Sequence, residues 1–472
     1  MTIRYPIFKN FKCRFYSTSS DLKAVLKTVI PKKLRLFEHV KKDLSSHQID
    51  IQTVGSVIGG MRGNKAMFWD ASSVDPNKGV TFHGLSIEEC QDILPKSKME
   101  LNDPKSELLP ESMLWFLLTG CIPSQEQIDD FSKTLAEHAQ LPEYVNKVLD
   151  SLPKSLHPMT QLSIAISLLN NESVFAKAYE RGIPKDEAWE YVFEDVINLI
   201  SKLPAIVGKI YSNTYYNGKE LGVINKDKDW SYNLSSLIGF TVDDSINHKN
   251  LSRSQSKDFV NLVRLYCALH GDHEGGNVSA HATHLVGSSL SDPYLSYSAG
   301  IQGLAGPLHG LAAQEVVRFI LEMKDTLDGE VDNDAKIEEY LWKRLNSKRV
   351  IPGYGHGVLR KPDPRFTAII KFGNNRPEEF AKDRNFQLVK KLSQIAPGVL
   401  AKHGKTKNPF PNVDSSSGIL FYHYGLKETL FFTVIFGASR SLGPLSQLIW
   451  DRIYGLPIER PTSMDLKTLA SL

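Results

Sequence analysis

The segment DFVNLVRLYCALH, at residues 258–270, decides the fold class of this chain of 472 residues. Its apolar side chains recur every three or four positions, which places Phe259, Leu262 and Tyr266 on one face of a helix. The same spacing appears at residues 311–323. Further helical patterns cover residues 186–212, 365–373 and 386–403. The sequence therefore predicts an all-α fold.

Strand signals occur only near the N-terminus, where residues 67–69 and 80–84 flank the turn sequence DPNKG at 75–79. This order predicts one short β-hairpin. Strands and helices do not alternate along the chain, which argues against a doubly wound nucleotide-binding sheet. Further along, Ser112 is predicted to cap a helix that ends at Gly120.

The first 20 residues differ in composition from the rest of the chain. They carry four cations, no acidic residue and a Ser/Thr cluster, which is typical of a mitochondrial presequence; a disordered basic tail is the alternative. Without these four cations, 52 basic residues stand against 53 acidic ones, so the charge does not indicate nucleic-acid binding. No apolar run approaches the roughly 18 residues that a membrane span requires.

Three short segments place an ionisable side chain beside glycines, where the backbone can approach a ligand closely. They are GPLHG at 306–310, PGYGHG at 352–357 and NVDSSSG at 412–418. Their side chains His309, His356 and Asp414 form a set of two histidines and one carboxylate without metal spacing. This set indicates acid–base chemistry on a small molecule, so the chain is predicted to be an enzyme.

His309 and Asp414 each have a chemical and a structural interpretation. His309 precedes the helix predicted from residue 311, so the positive end of the helix dipole should keep the ring neutral and able to donate a hydrogen bond. Asp414 follows a proline-bounded turn, where a partly apolar pocket would increase its basicity toward a carbon-bound proton. The alternatives are a helix-terminal histidine without a chemical role and an aspartate that closes an Asx turn.

Arginines near these segments suggest an anionic substrate. Arg360 and Arg365 follow the glycines around His356, whereas Arg440 and Arg460 stand in apolar surroundings. Several converging arginines would clamp a dicarboxylate, although a single arginine is often half of a structural ion pair.

A dense histidine region at residues 270–284 raises the alternative of a metal-dependent hydrolase. Zinc-binding histidines on a helix require i, i+4 spacing, but two glycines interrupt any helix after His273. We therefore predict no metal site and assign His270, His281 and His284 to packing or helix capping. His273, between two acidic residues at the glycine break, is predicted to face a ligand.

Together these motifs resemble those of the eukaryotic mitochondrial citrate synthases. Five of them occur in the family's order: DHEGGNVSAH at 272–281, GPLHG at 306–310, PGYGH at 352–356, DPR at 363–365 and PNVD at 411–414. The resemblance extends from GGMRG at 59–63 to IERP at 458–461. It implies a large helical domain at 21–310 and 425–472, after a presequence at 1–20, and a smaller mobile helical domain at 311–424.

For activity, the resemblance implies condensation of acetyl-CoA with oxaloacetate and water to give citrate and CoA. Asp414 would remove a methyl proton of acetyl-CoA, His309 would donate a hydrogen bond to the thioester oxygen, and His356 would polarise the ketone of oxaloacetate. No metal or cofactor is implied, because the CoA thioester is itself a substrate. The implied location is the mitochondrial matrix, without a nucleic-acid or membrane partner.

The resemblance also implies binding residues. The residues that would hold oxaloacetate are His273, His356, Arg365 and Arg440, with Arg460 supplied by the second subunit of a homodimer that shares its active sites. The residues that would contact CoA phosphates are Arg62, Arg360 and Lys185. Lys185 stands where animal enzymes have arginine; a lysine keeps the charge but loses the guanidinium fork.

The residues after Asp414 differ from the Ala-His of many citrate synthases. This chain has Ser415-Ser416, which is similar to the fungal branch that includes 2-methylcitrate synthases. Propionyl-CoA differs from acetyl-CoA by one methylene, which is worth about 1–3 kcal/mol in a pocket. The sequence leaves open whether citrate or 2-methylcitrate is the main product, and a non-catalytic helical scaffold that binds CoA is a further alternative.

Overall fold

The computed structural model describes residues 21–49, 51–58, 67–327 and 330–471. Within these ranges the fold is helical, as predicted. The helices up to residue 304 are α1 (Leu22–Asp43), α2 (Val54–Ile58), α3 (Ile87–Ile93), α4 (Pro110–Thr119), α5 (Gln125–Glu137), α6 (Glu143–Ser151), α7 (Pro158–Leu168), α8 (Val174–Glu180), α9 (Ala188–Tyr215), α10 (Trp230–Leu237), α11 (Arg253–His270), α12 (Val278–Ser288) and α13 (Pro293–Leu304). They are followed by α14 (Ala312–Thr326), α15 (Asp334–Asn346), α16 (Pro364–Asn374), α17 (Pro377–Phe380), α18 (Arg384–His403), α19 (Asp414–His423), α20 (Phe432–Arg440), α21 (Leu442–Tyr454) and α22 (Leu466–Ala470).

The helix predicted at 258–270 is confirmed, as all but the first five residues of the 18-residue helix α11. It starts earlier than predicted because Ser252 and Gln255 form a capping box, in which each side chain bonds the other residue's backbone N–H. The predicted apolar face is buried.

The prediction for α4 is half right. Gly120 ends the helix in the left-handed conformation at φ +67°, as predicted. Ser112 is not its cap, because Pro110 occupies the first helical position and Leu109 precedes it. The Ser112 hydroxyl instead donates to the Leu109 carbonyl at 2.6 Å within the first turn.

The predicted hairpin is part of a small antiparallel sheet. Its strands are β1 (Ser72–Asp75), β2 (Gly79–Phe82) and β3 (Leu85–Ser86), in the order β1-β2-β3. The DPNKG turn is correct, since the Asp75 carboxylate accepts the backbone N–H groups of Asn77 and Lys78. The strand predicted at 67–69 is wrong. Phe68 and Trp69 have strand propensity, but residues 67–69 pair with no strand of the described residues, and the Trp69 indole instead donates a hydrogen bond to Asp272 in the loop after α11.

The helices pack in two groups. The long helix α9 packs against α7, α8, α10 and α21, whereas α14, α16 and α18 pack around α19 and α15 packs on α18. The second group contacts the first through α11 and α20. The domain boundaries at 310 and 424 stay a prediction. Among the helices of the described ranges, none has the length and apolar character needed to cross a membrane.

We expect Arg264→Met to lower the free energy of unfolding by about 3–5 kcal/mol, because it leaves buried carboxylates without their counter-ion. Arg264 is 2% exposed and bonds Asp229 at 2.7 Å and Glu100 at 2.8 Å. The matched control is Arg253→Met in the same helix, whose side chain is 76% exposed; it should change stability little. Chemical denaturation measures both variants, and equal losses would contradict the prediction.

Candidate active site

The loop that carries His273 follows α11 and is tied to the small sheet. One Asp272 oxygen accepts hydrogen bonds from the Trp69 indole and the Ser72 hydroxyl, each at 2.7 Å. Its other oxygen accepts the His273 backbone N–H at 2.9 Å. The Ser72 hydroxyl in turn accepts the Glu274 backbone N–H at 2.8 Å. These bonds hold His273 in position.

His273 is a buried, neutral imidazole. Its ring centre lies 5.4 Å from that of His356, and its Nε2 has no hydrogen-bond partner among the described residues. Burial, followed by the charges of Arg365 and Arg440, lowers the pKa of His273 well below its usual range. Its Nε2 is therefore available to a bound ligand.

Backbone donors determine which nitrogen of His356 carries the proton. Nδ1 accepts the backbone N–H groups of Val358 and Leu359, each at 3.0 Å. Burial, followed by the charge of Arg365, lowers the pKa of His356 to about 4. The neutral ring therefore carries its proton on Nε2, which makes Nε2 a hydrogen-bond donor.

A backbone N–H group also determines which nitrogen of His309 carries the proton, but here it bonds Nε2 rather than Nδ1. Its Nε2 accepts the Ser279 backbone N–H at 3.2 Å and lies 3.0 Å from the Ser279 hydroxyl. Burial, followed by the charge of Arg440, lowers the pKa of His309 to about 4. The neutral ring therefore carries its proton on Nδ1.

The His309 ring also contacts the start of a second helix, besides the predicted helix that follows it in the chain. The predicted helix begins at Ala312, but the N–H group at the ring belongs to Ser279 in the first turn of α12. The positive end of α12 therefore also lies at the ring, where it disfavours a charged imidazole. Because the two residues are 30 positions apart in the chain, no local sequence pattern shows this contact.

Main-chain hydrogen bonds join the PGYGHG and PNVD segments. The Asn412 N–H donates to the Gly353 carbonyl at 2.9 Å, and the Gly355 N–H donates to the Phe410 carbonyl at 3.1 Å. The Asn412 side chain also donates to the Gly355 carbonyl at 3.0 Å. Gly353 has φ +80°, and a Cβ there would lie 2.8 Å from Cα of Ser415, so this approach requires glycine.

Asp414 is the first residue of α19 and does not accept in an Asx turn. Its N–H is instead accepted by the Asn412 side chain at 3.1 Å. Loss of solvation raises the pKa of Asp414 to about 6, although Arg365 and Arg440 favour the charged form. Within the described residues no group donates a hydrogen bond to the carboxylate. Asp414 is therefore a stronger base than an aspartate in water, and its oxygens can accept a proton from a ligand.

Two buried arginines keep donors free near these groups. Arg365 pairs with Asp363 through Nε at 3.1 Å and Nη2 at 2.7 Å. Arg440 donates through Nε to the His270 carbonyl at 2.8 Å and through Nη1 to Asn277 at 3.0 Å. The remaining nitrogens, Nη1 of Arg365 and Nη2 of Arg440, have no partner in the described part of the chain. Two free guanidinium donors suit the two carboxylates of one small ligand.

Other predicted binding residues lie at the surface. Arg360 is exposed, and its guanidinium donates to the Val358 carbonyl at 2.7 Å. Lys185 lies in the exposed turn before α9, and Arg460 is exposed after α21. No hydrogen bond or ion pair in the described ranges joins Lys185 or Arg460 to the site. Arg62 lies outside the described residues.

The remaining histidines of the 270–284 region have separate partners. His270 bonds a main-chain carbonyl one turn earlier at 2.9 Å, His281 bonds Glu459 at 2.9 Å, and His284 bonds Asp451 at 2.7 Å. In the part of the chain that the structure describes, no group of three or more His, Cys, Asp or Glu side chains could hold a metal ion. The structure therefore gives the hydrolase alternative no support.

Sequence reasoning missed the side chains that hold the site residues in place. Asp272 positions His273, and Asp363 positions Arg365, while Ser279 faces His309. Asn277 caps α12 and accepts from Arg440. Asn277 and Asp363 had a readable signal, because each stands just before a helical run and caps it. Ser279 contacts His309 from a segment remote in sequence, and the partners that hold Asp272, Trp69 and Ser72, are remote as well.

A model of the family “Citrate synthase, C-terminal domain” matches residues 60–462. The mitochondrial citrate synthase 3 of Saccharomyces cerevisiae is 56% identical over 97% of this chain and 93% of that protein. The mitochondrial 2-methylcitrate synthase of Emericella nidulans is 53% identical over 96% of this chain and 95% of that protein. The mitochondrial citrate synthase of the same strain is 46% identical over 98% of this chain and 93% of that protein.

The fold is also shared with a solved structure. It is the ternary complex of carboxymethyl coenzyme A and oxaloacetate with the citrate synthase of Thermoplasma acidophilum, with a TM-score of 0.68 and 18% identity over 88% of this chain and 96% of that one. The family model and the relatives both cover most of the sequence. The chain therefore belongs to the citrate synthase family, as its motifs predicted.

Proposed function

We propose that this chain condenses an acyl-CoA with oxaloacetate and water, and that it accepts both acetyl-CoA and propionyl-CoA. One observation carries the proposal: two neutral histidines present protons on opposite ring nitrogens, and a carboxylate of raised pKa has no described donor. Nδ1 of His309 and Nε2 of His356 are donors, and Asp414 is the base. This is the set of groups that a carbon-acid condensation requires.

The acyl-CoA reacts first. The Asp414 carboxylate takes a proton from the carbon next to the thioester, and the electron pair of that C–H bond moves into an enol or enolate. The His309 Nδ1–H donates a hydrogen bond to the thioester oxygen, where negative charge develops. Because His309 is neutral, it stabilises this oxygen without releasing a full proton to it.

The carbon–carbon bond forms next. The enol carbon attacks the ketone carbon of oxaloacetate, and the electron pair of the C=O π bond moves to the ketone oxygen. The neutral His356 stabilises that oxygen by a hydrogen bond from its Nε2–H, and the oxygen then takes a proton from solvent. The free nitrogens of Arg365 and Arg440, together with His273, hold the oxaloacetate carboxylates. Water then adds to the thioester carbonyl, the C–S bond breaks, and CoA leaves as the thiol. We propose no metal or cofactor, since the thioester itself makes the carbon acidic.

Two observations favour propionyl-CoA as a second substrate. The chain is more similar to the 2-methylcitrate synthase of Emericella nidulans than to the citrate synthase of that strain. Ser415 and Ser416, directly after the base, are small and buried. We propose that these small residues directly after the base leave room for the extra methyl group.

We also propose a mitochondrial matrix enzyme in which the smaller domain closes over the substrates. The relatives named above are mitochondrial proteins, and the first 20 residues have the composition of a presequence. For the CoA phosphates we propose Arg62, Arg360 and Lys185; Arg360 and Lys185 are exposed cations, as binding of a phosphate from solvent requires. Closure would exclude water until condensation is complete.

We expect free thiol to be released with oxaloacetate from both thioesters. Their specificity constants should lie within about tenfold of each other, because a pocket that rejects one methylene discriminates by about 10–200-fold and a pocket that accepts it discriminates less. The measurement is thiol release by the purified enzyme, with oxaloacetate omitted as the control. A preference above a hundredfold would contradict the dual substrate range. No release from either thioester would overturn the proposed function.

We expect Asp414→Asn to lower kcat by about 10²–10⁴-fold and to leave oxaloacetate binding intact. In the unsubstituted enzyme, kcat/KM should fall as the pH drops through about 6, because protonation removes the basic form of Asp414. His309 and His356 stay neutral over this range, since their pKa values are about 4. Calorimetry measures oxaloacetate binding to the variant, and a series of pH values measures the fall of kcat/KM in the unsubstituted enzyme. A variant with normal kcat would exclude Asp414 as the base.

We propose a homodimer in which Arg460 completes the site of the second subunit, because this exposed cation is joined to no described group of its own chain. Arg460→Ala should raise the KM for oxaloacetate, and His309→Ala should be nearly inactive. At an oxaloacetate concentration well below the raised KM, co-expression of the two variants should restore about a quarter of normal activity, since half of the dimers would each contain one complete site. Failure of the mixture to exceed its parents would contradict a shared site.

A further inference from the structure

The loop that carries Arg460 is fastened to α12 through the neighbouring residue, Glu459. One Glu459 oxygen lies 2.9 Å from Nε2 of His281, and the other lies 3.3 Å from Nε2 of His284. The Glu459 backbone N–H also donates to the Ser288 hydroxyl at 3.0 Å. Side chains of a single helix therefore hold Glu459 at both carboxylate oxygens and at its backbone.

The two histidines are arranged to bind one carboxylate. They are three residues apart on α12, so their rings project from the same face. His284 is 11% exposed and is itself oriented by Asp451 of α21, which is 3% exposed and lies 2.7 Å from Nδ1. Although burial acts in the opposite direction, the hydrogen bond and charge of Asp451 raise the pKa of His284 above its usual value. A protonated His284 donates from both nitrogens.

Arg460 itself has no such attachment in the described part of the chain. Its side chain is exposed, and its Cα lies about 3.8 Å from that of Glu459 across one peptide bond. Holding Glu459 therefore limits where the arginine side chain begins. A long side chain that starts from a fixed point loses less freedom on binding a ligand than one that starts from a mobile loop.

We propose that His281 and His284 hold Glu459 so that Arg460 is presented to the oxaloacetate site of the second subunit. This inference rests on the proposed function, and in particular on the shared site. Glu459, His281 and His284 are positioning residues, because they act through Arg460 and contact no substrate.

We expect Glu459→Gln to raise the KM for oxaloacetate about tenfold and to leave kcat within about threefold. Adding Glu459→Gln to Arg460→Ala should raise KM no further, because two residues that act through one contact are not additive. The control is Asp465→Asn in the same C-terminal segment, where the carboxylate caps α22. Steady-state kinetics measures all four variants. Unchanged KM in Glu459→Gln, or additive effects in the double variant, would overturn the proposal.

A second experiment separates positioning across the dimer from a local defect. Two differently tagged heterodimers are purified, each with one working Asp414. In the first, Glu459→Gln is on the subunit that carries Asp414→Asn; in the second, it is on the subunit with the intact Asp414. We expect the raised KM only in the first, because its working site takes Arg460 from the altered subunit. A raised KM only in the second would overturn the proposal.

The outcomes also distinguish this inference from the shared site. If Arg460→Ala leaves oxaloacetate binding unchanged, the shared site is wrong and the role of Glu459 is wrong with it. If Arg460→Ala raises KM but Glu459→Gln does not, only the role of Glu459 is wrong. Should Glu459→Gln fail to fold, His281→Asn replaces it. The 41% exposed ring of His281 can be replaced at little cost to packing, and we expect a KM increase of about threefold.

Discussion

The arrangement of the site depends on the main-chain pairing between the glycine-rich loop of His356 and the segment before Asp414. Gly353 and Gly355 exchange hydrogen bonds with residues 410–412, and a side chain at Gly353 would collide with Ser415. Helix α19 then starts at Asp414 and packs on α14, which follows the loop of His309. One backbone contact between two glycines and a proline-rich segment therefore positions the base relative to both histidines.

Burial then gives these side chains their chemical roles. In water a histidine is more basic than an aspartate by more than two pKa units. Here the order is reversed, since the pKa of Asp414 is about 6 and those of His309 and His356 are about 4. A proton taken from a carbon acid therefore stays on the carboxylate, and both imidazoles remain neutral donors. The same desolvation acts on all three groups, but it acts against charge, so it raises one pKa and lowers the other two.

The sequence predicted those features that depend on local periodicity or on residue type beside glycine. The helical face of α11, the stop at Gly120 and the segments of His309, His356 and Asp414 belong to this class. It did not predict contacts between remote segments, such as the Ser279 N–H at His309 or the hydrogen bond from the Trp69 indole to Asp272. The start of α4 was predicted wrongly for a local reason. Pro110 at the first helical position marks the start of the helix, whereas the prediction used Ser112 as its cap.

The histidine-rich region shows why composition alone does not identify a metal site. A metal ligand must offer a nitrogen lone pair, and the partner of each nitrogen decides whether it can. His284 has a carboxylate at each nitrogen, Asp451 at one and Glu459 at the other, so both nitrogens serve as donors. His281 bonds the second oxygen of Glu459. The region divides at its glycines. His273, before them, has an Nε2 with no partner among the described residues, whereas the histidines of α12 bind a carboxylate of the chain itself.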